Sequence, residues 1–144
     1  MSNRIVMGNI APEAFKAMLG FEKYLTTTSI TPLHHEMIRI RASQINGCAY
    51  CVYKHTTDAR KRGETERRIN ALTVWRETPF FTEEERAILV LTEAVTLITS
   101  GVPDTVYNQA VKILGEQLTA EVIMAAITIN AWNRIGISTG MQPA

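Results

Sequence analysis

The 144-residue sequence has only two cysteines and three histidines, few aromatic residues at 7%, and almost no net charge. Each scarcity excludes something. Fifteen basic residues against fourteen acidic ones leave a formal charge of +1, no electrostatic basis for holding nucleic acid or an anionic membrane. No apolar stretch approaches the ~20 residues that cross a bilayer. The opening "MSNRIVMGNIAPEAF" lacks a continuous apolar segment, so no secretory signal is expected and a cytoplasmic location is. The cytosol keeps thiols reduced, which makes a structural disulfide framework the weaker reading of two cysteines and catalysis or metal binding the stronger. No run of four to eight residues alternates as a strand does, and there is no low-complexity segment, internal repeat or long linker.

What is present reads as helices joined by short turns. Pro12 opens an amphipathic stretch to about Leu25. Thr31-Pro32 is an N-cap with proline in the first helical position, starting a helix that ends at Asn46-Gly47. The next helix carries both cysteines and stops near Gly63; a shorter one covers roughly residues 64–74. Thr82 with Glu85 forms a capping box for a helix reaching Ser100-Gly101. Pro103-Asp104 opens another, to Leu114-Gly115, and Thr119 is the expected cap of a last helix to about Ile137. The expectation is one all-α domain over residues 1–144, about seven helices. Its 46% hydrophobic content suggests that some apolar surface is buried against other subunits.

The chemistry concentrates in "NGCAYCVYKH", residues 46–55. Gly47 ends one helix and Cys48 begins the next, where unpaired backbone N–H groups favour a thiolate. Cys48, Cys51 and His55 stand at i, i+3 and i+7, on one helical face. If the Gly47 turn folds the two helices antiparallel, Glu36 lies opposite His55 with an axial offset of about 3 Å at about 1.5 Å per residue. Glu36 can then orient His55, and His55 can take a proton from Cys51, the logic of an activated nucleophile. Tyr50 points off this stripe, by about 160° from Cys48 at 100° per residue.

Glu36, Cys48, Cys51 and His55 reproduce the E-x11-C-x2-C-x3-H pattern, and in this the sequence resembles the AhpD-like alkylhydroperoxidases of the carboxymuconolactone decarboxylase superfamily. The stretch from "NGCAYCVYKH" through "ERAILVLTEAV" and the terminal "INAWNRIGI" are similar to single-domain members over most of the chain. The resemblance implies an all-helical subunit, thiol peroxidase or thiol–disulfide activity, and homo-oligomers, commonly trimers or hexamers. In well-studied members a histidine between the two cysteines joins the proton relay; Tyr50 stands there in this sequence.

The resulting expectation is an oxidoreductase that reduces a peroxide, or a partner's disulfide, by cycling Cys48 and Cys51 between dithiol and disulfide. Cys51 attacks, and Cys48, the better exposed, meets an outside reductant. Its partners are a hydroperoxide, an external thiol or dithiol, and other copies of itself; no cofactor is expected. Rival readings remain: a zinc site built from Cys48, Cys51, His55 and Glu36, two merely buried thiols, a thiol sensor that does not turn over, and a lactone decarboxylase of the same superfamily. Asp58 is a rival orienter for His55. His34 and His35 read as surface histidines, "ARKRGETERR" as a solvated helix end, and Trp75, Phe80 and Phe81 as core or interface packing. Asn130, Trp132, Asn133 and Arg134 read as a structural polar network, and Ile88, Leu91, Val95, Val122, Ala126 and Ile129 as core.

Overall fold

Thr31 accepts a hydrogen bond from the His34 amide and Pro32 supplies a preset φ, so the chain enters a helix at this point. That helix, α3 (Pro32–Asn46), is central in the computed structural model, which describes residues 3–144. Around it lie α1 (Met7–Ile10), α2 (Pro12–Leu25), α4 (Ala49–Lys61), α5 (Glu66–Ala71), α6 (Glu83–Thr96) and α7 (Asp104–Thr139), with 3-10 turns at Leu72–Glu77 and Ile98–Ser100. No strand occurs among the described residues, and none of their helices is long and apolar enough to cross a membrane. Helix α3 packs against α4, α6 and α7, and α6 against α7. Ile38, Ile40, Ile88, Leu89, Leu91, Val122, Ala126 and Ile129 fill the space between them, while Val95 packs at its margin.

The α3–α4 connection is two residues long, Gly47 and Cys48, and it positions the site. Gly47 ends α3 at φ 73°, the left-handed conformation that favours glycine, and the Cys48 amide donates to the Ser43 carbonyl at 3.0 Å. Cys48 then caps α4 in an extended conformation, and the two helices run back along each other.

Two boundaries differ from expectation. Gly115, at φ 80° and ψ 165°, breaks α7, but the helix resumes at once rather than at Thr119. Thr119 is therefore an interior residue, buried, and its hydroxyl has no hydrogen-bond partner among the described residues. Helix α6 stops at Thr96, and a 3-10 turn covers the rest of the expected length. The four-residue helix α1 gave no periodic signal; it forms where the N-terminal segment folds back on α2.

The polar residues of α7 form the expected network. Asn46 donates to Asn130 and Asn133 at 2.8 and 2.9 Å, and Asn133 donates to Ser43 at 2.9 Å. In "ARKRGETERR", Arg60 pairs with Glu66 and Arg68 with Glu64 and Glu85. Trp75 and Phe81 are buried core, and Trp75 donates to Glu93 at 2.8 Å.

Candidate active site

The antiparallel α3–α4 pair brings Glu36 and His55 together: Nδ1 of His55 is 2.9 Å from Oε2 of Glu36. The carboxylate is 2% exposed and its other oxygen accepts from Arg39 at 2.9 Å. Burial pushes the Glu36 carboxyl up, but the His55 hydrogen bond and the Arg39 charge outweigh it and hold it below the ordinary carboxylate range. An anionic carboxylate only accepts, so the shared proton sits on Nδ1 and Nε2 of the neutral ring keeps its lone pair. Arg39 is held in turn by Glu22 at 3.0 Å, and Glu22 accepts from the Trp132 indole at 2.9 Å.

Cys48 and Cys51 are joined by a disulfide, with Cα atoms 5.3 Å apart. The Cys51 amide lies 3.3 Å from the Cys48 sulfur, so Cys48 caps α4 through its side chain. The two sulfurs face different spaces. Cys51 opens into a cavity of about 720 Å³ shared with Glu36, His55, Tyr50, Lys54, Asp58 and Arg62. Cys48 lines a shallow depression with Gln44, Gly47, Val52 and Tyr53. From α7, Gly136 presses on the pair: a Cβ there would stand 3.2 Å from the Cys48 sulfur and 3.7 Å from that of Cys51.

Several expectations are corrected. Cys48 is not the better exposed thiol; it is 2% exposed and Cys51 4%. Tyr50 does line the cavity beside Cys51, because Cys48 is an extended cap and helical angles cannot be counted from it. His35 is buried rather than on the surface; its Nε2 meets the Thr28 hydroxyl at 3.2 Å, outside the cavity lining. Burial and the Arg39 charge lower its pKa. His34 is half-buried. Asp58 is 2.9 Å from Lys54, whereas Glu36 holds His55. Trp132 belongs to the cavity wall as well as to the network of α7. Sequence reasoning missed Arg39 on α3, Arg62 at the C-terminal end of α4, and Glu22 and Gly136, which reach the site from α2 and α7. Arg39, three residues after Glu36, and Arg62, eleven after Cys51, left a signal in the sequence, since these spacings put each on the face of its site residue.

The zinc set of Cys48, Cys51, His55 and Glu36 is not formed, since the sulfurs are bonded to each other. Glu36, His55 and Asp58 do place ligand atoms within 4.8 Å of one another. Arg39, Arg62 and Lys54 already face those carboxylates, a cationic surrounding that disfavours a divalent ion.

The model of the carboxymuconolactone decarboxylase family matches residues 12–94, more than half the chain. The uncharacterized protein YdfG of Bacillus subtilis (strain 168) is 45% identical over 145 residues, covering 100% of this chain and 99% of its own. ATU0492 of Agrobacterium tumefaciens, a protein of unknown function named as a candidate antioxidant defence protein AhpD, superposes with a TM-score of 0.95 at 36% identity, over 100% of this chain and 99% of that one. An uncharacterized peroxidase-related protein from Silicibacter sp. TM1040 has the same fold, with a TM-score of 0.81 at 20% identity over 92% of this chain and 71% of that one. A C-x-x-C pair at the start of one of two antiparallel helices, a glutamate–histidine pair across them and these matches agree: the chain belongs to the carboxymuconolactone decarboxylase family and is AhpD-like.

Proposed function

We propose that the protein is a thiol-dependent peroxidase that reduces organic hydroperoxides by cycling Cys48 and Cys51 between dithiol and disulfide. The observation that carries this is the position of Cys51, one member of a bonded pair, in a cavity whose wall holds a glutamate-oriented imidazole. In the reduced protein, Nε2 of His55 takes the Cys51 proton and Glu36 stabilises the imidazolium. The Cys51 thiolate attacks the terminal peroxide oxygen. The O–O bond breaks, the organic alkoxide leaves as an alcohol with the proton from His55, and Cys51 becomes a sulfenic acid. Cys48 then attacks the Cys51 sulfur, and the sulfenic oxygen departs as water. The backbone N–H that caps Cys48 favours its thiolate for this step. An external dithiol supplies two electrons and two protons to restore the pair, consistent with work in a reducing cytoplasm.

Thiol counting tests the reading. One equivalent of cumene hydroperoxide should remove both thiols of the reduced protein, and a dithiol should restore them over repeated cycles. A single oxidation without recovery identifies a sensor instead. Lactone decarboxylation makes no use of the bonded pair, and peroxide-independent turnover of a lactone would replace the proposal. The order of attack is tested by trapping: Cys48→Ser should leave a sulfenic acid on Cys51 that reacts with a dione reagent. Faster trapping at Cys48 in Cys51→Ser would reverse the order.

A further inference from the structure

The cavity is far larger than a peroxide group needs; about 720 Å³ lies within the range of sites for drug-sized ligands. Its walls differ. One is α4 with its C-terminal cap, which present Tyr50, Lys54, Asp58 and Arg62. Facing it are apolar residues from three other elements, among them Val6, Phe15, Leu19 and Ile135. We propose that this cavity selects an amphipathic acid: a hydroperoxide whose carboxylate is held by Arg62 while its apolar chain lies along the α2 and α7 wall. The inference rests on the reading of the cavity as the entry for oxidant.

Three observations support it. First, the carboxylates of the lining are occupied: Glu36 by His55 and Arg39, Glu22 by Arg39 and Trp132, Asp58 by Lys54. Second, among the described residues the Arg62 side chain makes no hydrogen bond. Its Nε is 3.6 Å from a Glu36 oxygen already taken by Arg39, and the side chain is 48% exposed. A guanidinium in that state has donors to offer in the fork that a carboxylate accepts. Third, Arg62 follows Cys51 by eleven residues, about 20° away round the helix at 100° per residue and about 16 Å along it. The charge and the reactive sulfur therefore stand on one side of α4, and the guanidinium reaches back toward Glu36, whose partner His55 lies one turn from Cys51. The reaction balances as before: a hydroperoxy acid and an external dithiol give the hydroxy acid, water and the disulfide of the external reductant.

The unreactive product is the probe. Isothermal titration of the oxidised protein with ω-hydroxydodecanoate and with its methyl ester compares charge at constant chain. The acid should bind about tenfold more tightly than the ester, the discrimination of one charge-assisted contact. Arg62→Gln, a substitution at a half-exposed position, should bring the two within about twofold, and Leu19→Ser should weaken both alike. Equal affinities in the unaltered protein, a preference that survives Arg62→Gln, or no binding of either compound overturns the proposal. Because binding to the oxidised protein involves no turnover, loss of the charge preference leaves the peroxidase reading standing. Failure of the thiol cycle likewise leaves the binding result intact.

Discussion

In the proposed cycle His55 directs Nδ1 at Glu36 and offers Nε2 to the Cys51 thiol, so the two residues would act as a unit. His55→Ala should lower peroxide-dependent turnover by roughly 10²–10⁴-fold, the range for a positioned base, with an unchanged circular dichroism spectrum. Glu36→Gln should flatten the pH–rate profile of Cys51 oxidation. It should also lower stability, because Arg39 loses a buried anionic partner. Unaltered pH–rate profiles in both variants would remove the relay. Buried titratable groups also fix the acid response. His35 has its pKa lowered from 6.5, so the unfolded chain takes up that proton first. Its contribution is complete above about pH 6.5 and fades as the pH falls toward the folded value. Glu36 and Glu93 are held below 4.5, Glu93 because Trp75, Arg41 and Arg76 outweigh its burial. Their contributions are present above about pH 4.5 and are lost as the pH falls through the folded values. The melting temperature should thus decline in two stages on acidification, and His35→Gln should remove the first; an unchanged slope near pH 6 would contradict this.

At the scale of elements, the α3–α4 turn and the face of α7 that carries Gly136 together seat the disulfide. Gly136→Ala adds a Cβ at 3.2 Å from the Cys48 sulfur, closer than ordinary contact. Overpacking of this kind costs about 1–3 kcal/mol, and the gain in helix propensity returns about 1 kcal/mol. A net loss of up to about 2 kcal/mol is expected in urea unfolding of the oxidised protein, and a more stable variant would show that α7 yields freely. The turn itself was legible: Asn46-Gly47 announced it, and helical rise alone placed Glu36 opposite His55. The position of Thr119 was not, because a threonine shortly after a glycine looks like a cap whether or not that glycine actually stops the helix. Gly115 breaks the helix for one residue only.

Across the whole molecule, large apolar side chains remain on the surface, including Val6, Ile10, Phe21 and Tyr24 from the N-terminal quarter and Ile127 and Ile137 from α7. Exposed apolar surface on this scale favours association. Together with the family resemblance, which implies three or six copies, this makes a homo-oligomer the expected outcome of light scattering at micromolar concentration, and a monomer mass would reject it.

The sequence by itself determined the helices, their caps and the ladder of Cys48, Cys51 and His55. These depend on local signals: a left-handed glycine, an N-cap, and the spacing of residues on one helix. It also determined the Glu36–His55 contact, because a tight turn converts sequence distance into spatial register. Only the tertiary structure decided which space each sulfur faces, that Tyr50 shares the cavity, that His35 is buried, and that Arg39, Glu22 and Trp132 extend the site across three helices. Those facts depend on how α2, α3, α4 and α7 cross. Such crossings arise from side-chain packing between residues distant in sequence, and no local pattern encodes them.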